Sequence, residues 1–372
     1  MGVQRRLGLV ESSNLNINRR ALLVVLIGWA PLILFALAQS AMTRADEITP
    51  LLWEIGVHAR YLIAVPLLVL AEAVCAPHLN AIVDHFVDSG IVQEGGRAGF
   101  RDAVASTRIL LRSPIAEIVV VVLAYLVVVA AILSHPVDEV PAWAKPNGIM
   151  PHYSLAAWWH TLVSLPILLT LVLGWLWRLA LWTRLLWLIS RLDLRLVASH
   201  PDHCAGLGFL GHSARAFAIV GLALAAIAAG RSAHAVLAGG TLPTSHFYFN
   251  IGLMLVIMAM FVAPLLVFAP TLLNTWRRGM FEYGTLAERV GQAFERKWLN
   301  AKVDETALDQ ADFSATTDLY SVTANVYSIR PVPIDLIDLI ILAVALLLPF
   351  APVTLLAFPL DVIWDHIKGL LF

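Results

Sequence analysis

Residues 114–134 read PIAEIVVVVLAYLVVVAAILS, twenty-one positions with one ionisable side chain, Glu117. An α-helix needs about 20 mostly apolar residues to cross a bilayer. A run this uniform is also too apolar for a surface helix with a single dry face. Comparable stretches lie near 21–42, 59–77, 160–184, 214–238 and 250–274, and a seventh runs from Leu336 to Phe358. The fold class expected is an all-α integral membrane protein, with about seven transmembrane helices plus cytoplasmic amphipathic helices.

Composition agrees. Of 372 residues, 59% are hydrophobic and 14% charged, against about 25% charged in ordinary soluble domains. A globular fold of this size cannot hide so much apolar surface from water. The bilayer is therefore the partner the chain demands. A homo-oligomer is compatible with the pattern, and a net charge of −1 points to no nucleic acid. Cys75, within a span, and Cys204, in a loop, are too few and too far apart for a disulfide framework. The first stretch follows Arg19 and Arg20 and contains Ala36-Leu37-Ala38, which resembles a signal-peptidase site. Its apolar run continues past Ala38, so it reads as an uncleaved first span.

Basic residues set the expected orientation, because cytoplasmic loops are enriched in Lys and Arg. Four flank the first span at its N-terminal side, and four follow span two (Arg97, Arg101, Arg108, Arg112). Five lie at and after the end of span four, and seven follow span six. Only Arg44, Arg60, Lys145 and Arg231 fall on the other side, with Lys368 in the tail. The N-terminus is thus expected in the cytoplasm. The chain divides into a six-span bundle (1–274), a cytoplasmic helical segment (275–333) and a C-terminal segment (334–372). Pro349, Pro352 and Pro359 leave that last segment two readings: a kinked crossing with an amphipathic tail, which is preferred, or a re-entrant hairpin. Leu79, Ile82, Val83, Phe86 and Val87 keep helical spacing beyond span two, and Leu286, Val290 and Phe294 do so beyond span six. The loop from His135 to Trp159 holds four prolines and reads as an irregular cap.

Spans two, four and six share a proline motif. Val65-Pro66-Leu67-Leu68, Leu165-Pro166-Ile167-Leu168 and Ala263-Pro264-Leu265-Leu266 recur at intervals of 100 and 98 residues. Three like-oriented hairpins would produce this; so would chance likeness between apolar spans, which is the simpler reading.

Ionisable groups inside the apolar zone are costly and mark candidate sites. Glu72 falls about 20 Å from the outer end of its span and Arg178 about 27 Å from that of its own, at the helical rise. Glu117 begins span three. The three share one depth, where a Glu72–Arg178 pair forms either a relay at the cytoplasmic mouth or an inter-helix clamp. Arg231 and His234 lie near the outer end of span five. Six histidines fall on that side (His58, His135, His152, His160, His234, His246) without the spacing of a metal motif.

The most distinctive loop reads SHPDHCAGLGFLGH over 199–212. His200, His203, Cys204 and His212 are possible metal ligands, although their spacing matches no recognised motif and a Pro-Asp turn followed by glycines explains the run as structure. With Arg330-Pro331-Val332-Pro333 and Leu347-Leu348-Pro349-Phe350, this loop resembles stretches of a bacterial multi-pass inner-membrane protein family of unassigned function. The resemblance covers about 60 residues, implies a bacterial inner membrane and brings no catalytic residues. No Walker loop, dinucleotide fingerprint or nucleophile elbow occurs, and no cofactor is indicated. The leading expectation is a transporter- or channel-like protein. A membrane scaffold or assembly protein is the alternative, and a metal-dependent membrane enzyme the third reading.

Overall fold

A computed structural model describes residues 14–44, 46, 48–134, 142–144, 153–238, 244–299 and 311–357. Of the described residues 86% are helical, and none forms a strand. Among them seven helices are long and apolar enough to cross a membrane. They are spans one (Ile17–Thr43), two (Ile55–Asp88), three (Pro114–Ser134), four (Leu155–Ser190), five (Gly208–Leu237), six (Tyr248–Trp298) and seven (Leu336–Leu356). The chain is a polytopic α-helical membrane protein. Helix α1 (Arg97–Leu111) and helix α2 (Asp312–Tyr327) lie outside the spans.

Hydropathy and helix end at different places. Span six is 51 residues long, about 77 Å at the helical rise against a hydrocarbon layer of about 30 Å. It runs without a break through residue 274, where apolarity alone sets a boundary. The extension pairs with α2, where the Phe313 ring packs 4.9 Å from those of Phe294 and Trp298. Span seven runs beside span five, from Asp338 at Arg215 to Val353 against Ala229 and Ala233. A 3-10 turn, Leu348–Phe350, absorbs Pro349. The described part therefore passes from one end of the bundle to the other. The proposed tail helix, the loop prolines, and the side chains of His135, His152 and His246 lie outside the description.

Each proline removes a backbone donor and leaves a carbonyl to be satisfied. Pro66 and Pro166 each follow a π-helical segment, Ala59–Ala64 and His160–Ser164. There the Val65 N–H reaches the Arg60 carbonyl, and the Leu165 N–H the His160 carbonyl. Pro166 frees the Leu162 carbonyl, which accepts from Tyr125 Oη of span three at 3.1 Å. Pro31 frees that of Ile27, which accepts from the Trp159 indole at 3.0 Å. Pro264 instead sits in a 3-10 segment, Ala263–Phe268, so the third copy of the motif deforms differently.

Span five is the core. Two thirds of its central window is buried (67%), against 11% for span three. Its alanines and glycines let other helices approach closely: Gly221 meets Leu342 and Leu346 of span seven, and Gly230 meets Ala59 of span two.

Candidate functional site

Most arginines of the described spans gather at one end of the bundle, hereafter the basic end, with Arg60 and Arg231 toward the other, and the strongest charge cluster lies just inside the basic end. Glu72 projects from span two between two guanidinium groups. One carboxylate oxygen pairs with Arg178 of span four, and the other lies 3.2 Å from Arg20 of span one. Side-chain exposures of 18–31% place all three between interior and surface. The Arg178 guanidinium also stacks 5.0 Å over the Trp175 ring, one turn back. Trp175 in turn donates its indole N–H to the Leu68 carbonyl at 2.9 Å, joining spans two and four. Two cations around one carboxylate leave an excess positive charge at membrane depth.

This triad borders a cavity of about 820 Å³ between spans two, three and four and α1. The volume falls in the range of small-molecule sites. Most of the lining is apolar. Its charged members are Arg20, Arg108, Arg112 and Arg178 against Glu72 and Glu117. Helix α1 brings Arg108 into the wall because its apolar face, with Phe100 and Ala103 buried, packs inward. Arg184 fixes it by donating to Ser106 Oγ at 3.2 Å and Thr107 Oγ1 at 3.1 Å. Trp177 and Trp182 also line the cavity, and their buried indole N–H groups have no partner.

The opposite end is closed above these residues. Tyr61 Oη and His160 Nδ1 meet at 3.0 Å, the Trp143 ring stands against His160, and Ser164 donates to the Gly28 carbonyl at 2.7 Å. Arg231 and His234 belong to this end. Arg231 is exposed, and His234 lies 3.5 Å from Glu54 and 3.3 Å from the Trp53 carbonyl. The structure thus unites Glu72, Glu117 and Arg178 in one cavity and sets Arg231 and His234 apart from it.

The loop at 199–212 is organised by a carboxylate. Asp202 accepts from the backbone N–H groups of Cys204 (2.8 Å), Gly206 (3.1 Å) and Gly208 (2.8 Å). Gly206 sits at φ +94°, a conformation that side chains disfavour. Burial by itself would raise the Asp202 pKa, but these three donors outweigh it and hold the carboxyl below its usual value. The Arg330 guanidinium clamps the loop, donating to the Asp202 and Ile334 carbonyls and to Asp335. Its own N–H bonds the His203 carbonyl at 2.8 Å. His200 Nδ1 lies 2.8 Å from Asp202, and Cys204 Sγ points to the Val332 carbonyl. His203 Nδ1 is buried without a partner, and exposed His212 begins span five. Among the described residues no three His, Cys, Asp or Glu side chains are placed to hold a metal ion.

Three participants escaped the reading of the sequence. Arg20 counts there only as a basic flank. Arg330 counts only as a loop cation. Asp338, wholly buried and gripped by Arg215 through Nε (3.0 Å) and Nη2 (2.7 Å), was detectable as an acid inside an apolar span. No protein-family model, curated protein or solved structure matches this chain.

Proposed function

We propose that this membrane protein is a transporter whose cargo occupies the cavity beside Glu72, entered from the cytoplasmic side. One observation carries the reading. A ligand-sized cavity with charged groups at its edge lies toward the basic end, while packed side chains close the other end. A site within the bundle that opens toward one side and is closed on the other is one half of an alternating-access cycle. The basic end faces the cytoplasm under the positive-inside bias. The resemblance of the 199–212 loop supports a bacterial inner membrane as its location.

The test needs no knowledge of the cargo. Cysteines are placed at Thr170, which lines the cavity, and at Ala64, which is fully buried just beyond it. Each variant is treated with a membrane-impermeant maleimide in inside-out and right-side-out vesicles. Both variants carry Cys75→Ala, because Cys75 also lines the cavity; burial pushes the Cys204 thiol up to about 11, leaving little reactive thiolate. Thr170→Cys should label from the basic face, and Ala64→Cys slowly from the opposite face. Labelling of both from a single face, or an Ala64→Cys that reacts only after denaturation, overturns the transport reading.

A further inference from the structure

We infer that the cavity takes a lipid with an anionic phosphate head, drawn sideways from the leaflet at the basic end. This names the cargo class and rests on the cavity being the cargo site. Three observations lead to it.

The first is charge. The lining holds four arginines and two glutamates. Arg20 and Arg178 share a single carboxylate just inside the membrane, and the uncompensated cation is costly there; exposed Arg108 and Arg112 line the same cavity from the end of α1, and an anion among the four removes that cost. Arginine forks match phosphate oxygens in pairs. Arg108 and Arg112 lie a turn apart at the end of α1, and Arg112 caps that helix.

The second is the polarity of the remainder. Away from the arginines the wall is formed by Val69, Val83, Val120, Val121, Leu171 and Leu181. A free inorganic anion would leave these in contact with water; an acyl chain covers them.

The third is the route. Spans two and three both line the cavity, yet they hardly touch each other: span three packs on span four, and span two chiefly on spans five and one. The side between them faces the bilayer. A lipid entering there keeps its chain in hydrocarbon while its head travels at the level of Arg108 and Arg112.

The experiment uses the full chain in neutral maltoside micelles, titrated calorimetrically with dodecyl phosphate, dodecylphosphocholine and inorganic phosphate. Dodecyl phosphate should bind at least about tenfold more tightly than either of the others, one decade being a readily resolved difference. Arg108→Gln/Arg112→Gln should weaken it by about tenfold or more, as loss of charge-assisted bonds requires. Val120→Trp, which fills the chain site and leaves the arginines in place, should abolish the preference over inorganic phosphate. Equal binding of inorganic phosphate overturns the lipid assignment, and equal binding of dodecylphosphocholine overturns the anionic head. Failure of all three ligands, in a chain whose Ala64→Cys variant labels from the face opposite the basic end, removes the cargo class and leaves the transport reading standing. Tight dodecyl phosphate binding without such labelling keeps the lipid site and removes transport.

Discussion

Glu72→Gln separates a clamp from a cargo site, because the two roles predict effects of opposite sign. In the empty protein the carboxylate neutralises Arg20 and Arg178 together. Exposed pairs contribute about 0–1 kcal/mol, and breaking a fully buried one costs about 3–5 kcal/mol. With a fifth to a third of each side chain exposed, the expected loss is about 2 kcal/mol, between those limits. For an anionic head the same carboxylate is a repulsive neighbour. At about 8 Å and an effective dielectric constant of about 20, removing one negative charge favours the anion by about 2 kcal/mol, or roughly thirtyfold. The variant should therefore unfold earlier in mixed maltoside–dodecyl sulfate micelles and bind dodecyl phosphate more tightly. Tighter ground-state binding does not speed turnover, so flux in reconstituted vesicles should fall. Glu72→Gln/Arg178→Gln restores the charge balance and should return affinity to within about threefold of the parent. Lower stability with unchanged or weaker binding would refute the placement of Glu72 beside the head and leave it a clamp.

Two further predictions concern the scaffold at the basic end. Asp202→Ala strands three backbone N–H groups, whereas Asp202→Asn keeps an acceptor for two of them and turns an amide toward Gly208. The losses should rank Ala above Asn, with Asn costing about 1–3 kcal/mol for its one unsatisfied donor. Because the folded carboxyl titrates below its unfolded value, its contribution is complete above pH of about 4 and is lost as pH falls through the folded value. The parent's advantage over Asp202→Asn should shrink below that pH, and a constant gap would show that the charge is not what the loop uses. Gly211→Ala would drive a methyl into Asp338 Oδ2 and to within 3.2 Å of the Ile334 Cα. Arg215 holds Asp338 in place, so the overlap should cost about 1–3 kcal/mol, and an unchanged unfolding midpoint would show that the contact yields freely.

The membrane fold was legible because each span announces itself through length and apolarity, which the bilayer reads directly. The ends of the helices were not. Span six continues through Arg277, Arg278 and Glu282 because these residues form helix well, while hydropathy registers only their charge. The shared depth of Glu72 and Arg178 followed from rise per residue, since both sit on straight runs of known direction. Arg20 did not, because a flanking arginine and a reaching arginine look alike until packing decides where the side chain goes. The loop at 199–212 offered four candidate metal ligands in fourteen positions, yet its organising group is Asp202. Backbone N–H groups leave no trace in sequence, so a carboxylate that satisfies them cannot be told from one that awaits a ligand. The loop and Arg330-Pro331-Val332-Pro333 read as separate motifs for the same reason: their contact is the Arg330 guanidinium on the Asp202 carbonyl and its backbone N–H on that of His203.

Packing is uneven, and that unevenness favours the side on which the cavity lies. Span five is wedged between spans two, six and seven by residues too small to give way, and Arg215–Asp338 and Arg330–Asp202 pin its basic end. Span three rests chiefly on span four, with Tyr125 to the Leu162 carbonyl among its few polar ties. In lipid, helices gain little from hiding apolar surface from each other, so a helix with few contacts shifts at small cost. Any opening that admits a lipid between spans two and three therefore falls to span three and α1. Spans two, five and seven keep Glu72 at a fixed depth, which is the division of labour a carrier requires: a rigid half that holds the charge and a loosely held half that moves past it.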